Sequence, residues 1–266
     1  MPVDLLAPLE SFLVELNRVS AATILPFFRA EHGLEDKGAE GVFDPVTAAD
    51  RGGEAAIRRL IAERHPSHGV IGEEYGEDRP EAEFVWVLDP IDGTRAFIAG
   101  LPVWTTLIGL RFQGRPVLGS IGQPYLGEVF IGGPGGSRLM ARGSEEPLRT
   151  RAGVRLKDAI IATTDPRDCF KTDQRPAWNR LRAAARLARL GCDAYAYAMV
   201  AAGGIDVVLE PNLKSWDIEA AIPVVEGAGG LVRDWAGAPI GPGAGEVVIA
   251  GDEALLDETL AVLSEA

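Results

Sequence analysis

The clearest chemical signal in this 266-residue chain is a pair of aspartates, Asp89 and Asp92, that follow an apolar run. The run Phe84–Leu88 has the length and composition of a buried strand, so its end would present both carboxylates together. Pro90 lies between them, lacks a backbone N–H and fixes φ, so we expect strand pairing to stop there. The sequence therefore predicts a rigid elbow that projects two carboxylates.

The residues after the two aspartates suit an anion. Gly93 permits a tight turn, and Thr94–Ile98 is predicted to form a short helix that ends at Gly100. Backbone N–H groups at the start of a helix face outward and can bind a phosphate. Converging carboxylates repel each other unless a cation lies between them, and oxygen ligands favour a hard divalent ion. The segment predicts a metal and phosphate site, although an Asp-Gly turn capped by Asp89 would explain the same residues.

Three further acids could join this site, and each also has a local explanation. Glu73 follows a short apolar run, so it would reach the site if the two strand ends lie side by side; a solvated acidic turn is equally consistent. Asp50 completes a capping-box pattern with Thr47 at the start of a predicted helix. Asp217 begins another helix, where Ser215 can cap and Asp217 complements the helix dipole.

The elements that would position these residues follow from apolar spacing. The first predicted element is an amphipathic helix that starts near Pro8 and ends or kinks at Pro26. A second helix would follow the Thr47 cap and close at His65. Strands are then predicted at residues 69–72, 84–88, 103–112, 115–121 and 129–132. The first half of the chain is therefore predicted to be α+β.

The second half is predicted to be α/β, because strand and helix patterns alternate. The glycine-rich stretch Gly132–Ser137 predicts a boundary or an exposed hairpin that extends to about Gly153, and it lacks the Lys-Ser/Thr ending of a P-loop. Later strands are predicted at 159–163, 205–209, 230–233 and 246–250, and helices at 176–190, 194–202, 216–227 and 256–263. We expect an N-terminal α+β subdomain of residues 1–150 and a C-terminal α/β subdomain of residues 151–266.

Composition and charge argue against several classes of protein. Hydrophobic residues make up 47% of the chain and charged residues 24%, which is the balance of a folded globular protein. The formal net charge of −13 predicts no direct nucleic-acid or membrane partner, because such a surface repels phosphate backbones and anionic lipids. Cys169 and Cys192 form no CxxC pair and predict ordinary packing in a reducing compartment. With no signal-like start and no apolar stretch long enough to cross a bilayer, we expect a cytoplasmic protein.

Four segments together carry more information than any one of them alone. VTAAD at 46–50, GEE at 72–74, WVLDPIDGTRAF at 86–97 and SWDIEAA at 215–221 occur in the order and spacing of the inositol monophosphatase family. The chain resembles that family over nearly its full length. The resemblance implies a layered α-β-α-β-α sandwich of the inositol monophosphatase and sugar phosphatase type. It also implies magnesium-dependent hydrolysis of a small phosphate monoester, commonly by a homodimer.

The resemblance implies a ligand set for two or three Mg²⁺ ions in each active site. Glu73, Asp89 and the backbone carbonyl of Ile91 would hold one ion. Asp89, Asp92 and Asp217 would hold a second ion, so that Asp89 bridges the pair. Oxygen ligands of this kind suit Mg²⁺ better than zinc, which prefers nitrogen and sulfur.

The resemblance also implies catalytic roles. Asp50 and Thr94 would form a dyad that orients and deprotonates a metal-bound water, and Glu73 completes the catalytic set. The amides of Gly93 and Thr94 would hold phosphate oxygens while the water attacks in line, with no covalent intermediate. No histidine is needed in this scheme, so surface or capping roles are expected for His32, His65 and His68.

Two segments resemble the histidinol-phosphate phosphatase branch of the family, namely Gly191–Tyr197 and Gly100–Trp104. Asp193 stands where inositol-directed members usually carry a small residue. Glu210 lies seven positions before Asp217, where the family places an acid that contacts the substrate. Histidinol carries an ammonium group and a titratable imidazole, which two anions would bind better than they bind a neutral polyol. The resemblance therefore implies L-histidinol phosphate as the substrate.

Both acids also have local explanations, which keep other functions open. Asp193 could be the N-cap of a helix after Gly191, and Glu210 before Pro211 could be a solvated strand end. Inositol monophosphate is the alternative substrate. A hypothesis of another class is a regulatory, protein-binding role, because some relatives of this fold associate with transcription machinery. The complete set of metal ligands argues against that as the sole role.

Overall fold

The computed structural model describes residues 3–30, 35–36, 45–241 and 243–264. The predicted surface or capping role of His32 falls outside these residues. The described helices are α1 Val3–Ile24, α2 Ala48–Arg64, α3 Thr94–Ile98, α4 Arg175–Ala184, α5 Asp193–Ala201, α6 Ser215–Ile218, α7 Ala221–Gly227 and α8 Glu253–Ser264. The described strands are β1 Glu35–Asp36, β2 Pro45–Val46, β3 Gly69–Gly72, β4 Gly76–Asp78, β5 Phe84–Asp92, β6 Thr105–Phe112, β7 Arg115–Gln123, β8 Glu128–Gly133, β9 Gly136–Ala141, β10 Ser144–Pro147, β11 Ile160–Thr163, β12 Leu187–Leu190, β13 Val207–Leu213, β14 Leu231–Arg233 and β15 Gly245–Ala250.

Helix α1 contains Pro8, so the predicted start of this helix near Pro8 is wrong. A proline inside a helix removes one backbone hydrogen bond. Its neighbours Leu6 and Leu9 are both buried, and this packing stabilises the turn around the proline. The predicted end at Pro26 is confirmed, because the helix stops at Ile24 and continues only as a short 3₁₀ turn.

Two of the three histidines lie near the end of α2. His65 is the C-cap of this helix, as predicted. The predicted surface or capping role of His68 is wrong, because its side chain is buried and its Nδ1 accepts a hydrogen bond from Trp86 Nε1 at 3.1 Å. Its ring stacks between those of His65 and Phe84.

The strands form two principal sheets. The larger sheet has the order β10-β9-β8-β7-β6-β5-β3-β4, in which β3 and β5 are parallel and all other pairs are antiparallel. The smaller sheet has the order β12-β11-β13-β15-β14, with β11 parallel to both of its neighbours. The glycine-rich stretch forms the tight β8–β9 connection, so the predicted hairpin is confirmed, and the strands β9 and β10 extend the larger sheet.

Packing of side chains confirms the layered α-β-α-β-α arrangement. Side chains of α1 and α2, such as Leu13 and Ile57, pack on one face of the larger sheet. Helices α5 and α7 fill the space between the two sheets, where Tyr197 and Val224 are fully buried. Helices α4 and α8 cover the outer face of the smaller sheet. Whether residues 1–150 and 151–266 act as separate subdomains stays a prediction.

Two predicted helices in the second half are each divided in the structure. The segment predicted as one helix over 176–190 is the helix α4 followed by the edge strand β12, which pairs with β11. The segment predicted over 216–227 is the two short helices α6 and α7. In the described part of the chain, no helix is both long and apolar enough to span a bilayer.

Candidate active site

The end of β5 carries Asp89 and Asp92, and its backbone is irregular at Pro90. Asp89 pairs with Leu107 of β6 and Asp92 with Thr105, with a shift in register between them. The prediction that pairing stops at Pro90 is therefore wrong, because the strand bulges there and pairing resumes. The bulge is the expected response to a residue that cannot donate to the ladder.

Gly93 turns the chain from β5 into α3. It has φ +81° and ψ 42°, the left-handed conformation that favours glycine. The predicted short helix Thr94–Ile98 is confirmed. The side-chain hydroxyl of Thr94, its first residue, donates to the carbonyl oxygen of Ile91 at 3.2 Å. A Cβ built on Gly93 would lie 3.0 Å from Asp193 Oδ2, so a residue from the second half of the chain lies against this turn.

Glu73 lies beside Asp89 because β3 and β5 run parallel. Gly72 pairs with Leu88, and the N–H of Glu73 donates to the Leu88 carbonyl oxygen at 3.2 Å. The end of β3 therefore lies beside Leu88 and Asp89 of β5, which brings Glu73 next to Asp89. The sequence predicts that Glu73 joins the site if the two strands lie side by side, and this condition is met.

Asp217 reaches the same place from α6. Its carboxylate accepts a hydrogen bond from the N–H of Lys214 at 2.7 Å, which satisfies a backbone donor at the start of the helix. Lys214 is the N-cap and Ser215 is the first helical residue, so the predicted cap at Ser215 is wrong. Trp216 packs against Val85 and the rest of a small apolar cluster on β3 and β5. This packing fixes α6 next to the end of β5.

A carboxylate accepts a hydrogen bond from the first turn of α5, but it is not that of Asp193, the predicted N-cap. Cys192 is the N-cap and makes no side-chain capping bond, and Asp193 is the first helical residue with φ +44°. The N-cap interpretation of Asp193 is therefore wrong. Instead Asp92 Oδ2 accepts the N–H of Ala194 at 2.7 Å. This hydrogen bond joins the end of β5 to the first turn of α5.

Glu210 is buried, so its interpretation as a solvated strand end is wrong. Its carboxylate accepts hydrogen bonds from the Thr164 N–H at 2.8 Å, the Thr164 hydroxyl at 2.9 Å and the Thr163 hydroxyl at 3.3 Å. Burial among other acids, chiefly Asp193, raises the pKa of Glu210 to about 8. Glu210 is thus held in one orientation by β11 and the residue after it.

These acids share one cavity of about 380 Å³. Six carboxylates and one guanidinium contribute to its walls. The lining residues are Glu73, Asp89, Ile91, Asp92, Gly93, Thr94, Arg95, Thr164, Cys169, Asp193, Tyr197, Glu210, Pro211, Asn212, Leu213 and Asp217. The structure therefore brings together every predicted site residue except Asp50. A larger cleft of about 690 Å³ beside β9, β10 and α7 contains none of the predicted site residues.

The profile of the inositol monophosphatase family matches residues 5–266. The chain belongs to this family. Its layered fold and the order of its acidic segments agree with that assignment. Family membership makes the chain a phosphatase of the kind that hydrolyses phosphate monoesters.

Individual members of the family show how similar this chain is to proteins of different specificity. The bifunctional phosphatase IMPL2 of Arabidopsis thaliana is 43% identical over 84% of this chain, which covers only 63% of that longer protein. A histidinol-phosphatase of Chlorobaculum parvum is 35% identical over 73% of each chain. The solved structure of an inositol monophosphatase from Zymomonas mobilis superposes with a TM-score of 0.87 at 38% identity, covering 98% of this chain and 99% of that one.

Asp50, a predicted catalytic residue, is buried at the start of α2 and does not line the cavity. Its carboxylate accepts the Thr47 N–H at 2.8 Å and also binds the Thr47 hydroxyl, which confirms the capping box. Among the described residues Asp50 and Thr94 share no hydrogen bond, since the Thr94 hydroxyl donates to Ile91. Asp50 lies near enough to Asp89 for its charge to raise the Asp89 pKa. The catalytic dyad of the family stays a prediction for this chain.

The electrostatics of the cavity fit a divalent cation. Burial and the charges of Glu73, Asp92 and Asp217 raise the pKa of Asp89 well above its ordinary value. Burial and the charge of Asp193 do the same for Asp92, and burial raises the pKa of Asp217 to about 6. A cluster of carboxylates that disfavours its own ionisation is stabilised when cations bind to it.

The donor set fits Mg²⁺ in type, because every predicted ligand is an oxygen atom. Within residues 3–30, 35–36, 45–241 and 243–264, no three His, Cys, Asp or Glu side chains are arranged as a ready-made metal site. The four predicted carboxylate ligands nevertheless line one cavity and interact electrostatically. Their assignment as metal ligands stays a prediction.

Several cavity residues were not predicted as site residues from the sequence. Tyr197 is buried, lines the cavity and has its pKa raised by burial and by the surrounding acids. It lies one helical turn after Asp193 on α5, so helical spacing from Asp193 could have identified it. Cys169 also lines the cavity, and burial raises the pKa of its thiol to about 11. Thr164 binds Glu210, and its place follows only from strand pairing.

Proposed function

We propose that this protein is a Mg²⁺-dependent phosphatase that hydrolyses L-histidinol phosphate to L-histidinol and phosphate. One observation carries the proposal: Asp193 and Glu210 line the same cavity as the four predicted carboxylate ligands. These two acids are not needed for the predicted metal ligation. They are therefore available to bind the alcohol part of the substrate, which is the leaving group.

Charge in the cavity favours a cationic leaving group. Six carboxylates and the guanidinium of Arg95 line it, so it would keep a net negative charge with two divalent ions and a phosphate dianion bound, even when Glu210 is protonated. A neutral polyol gains only hydrogen bonds from its hydroxyl groups to such walls. An ammonium group gains hydrogen bonds in which both partners are ionised, so it also gains the attraction between opposite charges.

In this proposal the predicted ligands Glu73, Asp89, Ile91, Asp92 and Asp217 hold the metal. Bound Mg²⁺ would stabilise charge on the phosphate oxygens and lower the pKa of a bound water.

The remaining roles belong to residues near the end of β5. The amides of Gly93 and Thr94 are assigned to phosphate oxygens by the family resemblance. The same resemblance assigns Asp50 and Thr94 to the orientation and deprotonation of the attacking water. The Thr47 hydrogen bonds hold the Asp50 carboxylate in one orientation, and burial raises its pKa, as suits a proton acceptor.

Phosphate release measured from a panel of esters tests the proposal. L-histidinol phosphate, inositol 1-phosphate and fructose 1,6-bisphosphate are each assayed with Mg²⁺ and with chelator. We expect the highest kcat/KM for histidinol phosphate and no release in chelator. Equal or faster turnover of inositol phosphate would contradict the substrate, and full activity in chelator would contradict the metal. No release from any ester would favour the regulatory, protein-binding hypothesis.

Inositol monophosphate is the second candidate substrate, because the Zymomonas structure that matches nearly the whole chain is an inositol monophosphatase. Two finer parts of the proposal concern the protein as a whole, namely a homodimer and a cytoplasmic location. Light scattering of the purified chain tests the first, and fractionation of the source cells tests the second.

A further inference from the structure

A buried carboxylate outside the cavity contacts the backbone on both sides of Glu73. Glu54 belongs to α2, and its side chain is 0% exposed. Its Oε2 accepts the N–H of Glu74 at 2.8 Å, and its Oε1 accepts the N–H of Tyr75 at 3.2 Å and Nε of Arg58 at 2.7 Å. One carboxylate therefore binds the backbone of the two residues that follow Glu73.

The backbone before Glu73 admits this carboxylate only because residue 72 is glycine. A Cβ built on Gly72 would lie 2.1 Å from Glu54 Oε1, which is a collision. The N–H of Glu73 itself donates to the carbonyl oxygen of Leu88, the residue before Asp89. The main chain around Glu73 is thus held by β5 on one side and by α2 on the other.

We propose that Glu54 is a positioning residue, which holds the Glu73 backbone beside Asp89 and thereby sets the affinity of the site for Mg²⁺. This inference rests on the proposed function, in which Glu73 is a metal ligand. Glu54 does not line the cavity, so it acts through Glu73 and not on the substrate. Loss of a group that orients a metal ligand typically lowers metal affinity by about 10- to 100-fold.

The near-isosteric substitution Glu54→Gln tests this role. The glutamine side chain has nearly the same volume, but it offers one acceptor oxygen where the carboxylate offers two. The Glu54 carboxylate satisfies three N–H donors, from Arg58, Glu74 and Tyr75. A glutamine amide must turn its NH₂ toward at least one of them. The Glu73 backbone would then lose part of its support while the core keeps its volume.

Calorimetric titration of the full chain with Mg²⁺, in the absence of substrate, compares Glu54→Gln with a matched control. Glu63→Gln removes the same charge from the same helix, where Glu63 is 61% exposed and faces Arg59 at the same four-residue spacing. We expect Glu54→Gln to raise the Mg²⁺ dissociation constant about tenfold, with kcat at saturating Mg²⁺ within about threefold of the unaltered protein. Glu63→Gln should leave both unchanged.

Glu73→Gln separates failure of this inference from failure of the proposed metal site. If Glu73→Gln loses Mg²⁺ affinity and Glu54→Gln keeps it, even with a lower melting temperature, the positioning role is refuted. If the unaltered chain binds no Mg²⁺, the metal site is refuted, and this inference with it. If Glu54→Gln does not fold, Arg58→Gln is tested in its place, because Arg58 binds both the Glu54 carboxylate and the carbonyl oxygen of Gly76. Unchanged Mg²⁺ affinity in Arg58→Gln would overturn the proposal.

Discussion

Replacement of Asp193 by asparagine should separate the two candidate substrates. Asp193 begins α5, lines the cavity and places its Oδ2 against the turn at Gly93. Asparagine has nearly the same shape and removes only the charge. In the proposed function Asp193 binds a cationic part of histidinol, and inositol has no such group.

The size of the effect follows from the kind of bond that is lost. A hydrogen bond to a charged group contributes about 1.5–3 kcal/mol, and 1.4 kcal/mol corresponds to tenfold in an equilibrium constant. Burial raises the pKa of Asp193, and the Thr164 hydroxyl and the charge of Arg95 offset this only in part, so part of the Asp193 charge is already compensated. The lower half of the range is therefore the better expectation, which gives a loss of about 10- to 40-fold in kcat/KM for histidinol phosphate.

Steady-state phosphate release with both esters measures this effect. For inositol 1-phosphate we expect a loss of less than about threefold, because the asparagine oxygen still accepts a hydrogen bond from a hydroxyl group and no ion pair is broken. Asp173→Asn is the control, since Asp173 is an exposed acid outside the cavity, and it should change neither value. Equal losses with the two esters would refute the reasoning, because they would show that Asp193 acts on the fold of the site and not on the leaving group.

Three further predictions concern the metal site, a buried ion pair and acid stability. Asp92→Asn should abolish turnover while the melting temperature stays within a few degrees, since an asparagine oxygen keeps the hydrogen bond to α5; near-normal kcat would contradict the ligand role. Arg111→Gln should lower the free energy of unfolding in urea by about 3 kcal/mol, because it leaves Glu219 buried without its bidentate partner; a loss below about 1 kcal/mol would show that the pair is effectively solvated. Burial holds the pKa of His68 at about 4, below its ordinary 6.5, so the folded chain binds fewer protons there than the unfolded chain and loses stability as pH falls from 6.5 toward 4. His68→Asn keeps an acceptor for Trp86, and its melting temperature should fall less between pH 7 and pH 5 than that of the unaltered protein. An equal fall would contradict this.

Features set by neighbouring residues could be predicted from the sequence. The Thr47 and Asp50 capping box, the short helix after Gly93 and the end of α1 near Pro26 all depend on residues within one or two turns. The proximity of Glu73 and Asp89 could be predicted because each of them follows an apolar run with the pattern of a strand. The resemblance of four segments to one family supplied the remainder of the candidate site.

Features set by distant strands could not be predicted. Pro90 does not end β5, because β6 pairs with the strand again after the bulge, and a lone strand does not reveal its partner. Leu187–Leu190 is a strand because β11 lies beside it, although its spacing continues the helical pattern of α4. Glu54 had no signal at all, since a charged residue on an amphipathic helix is ordinarily exposed. Only the fold shows that the β3–β4 turn covers it.

The most direct test of the central claim is a crystal structure of this protein with Mn²⁺ and inorganic phosphate, with anomalous data collected for the metal. Mn²⁺ binds the same carboxylate ligands as Mg²⁺ and can be located by its anomalous signal. The account predicts metal ions bound to Asp89 and Asp92 in the cavity, with Glu73 and Asp217 as further ligands and phosphate at the start of α3. Anomalous density elsewhere, with the cavity free of metal at concentrations that support turnover, would contradict it.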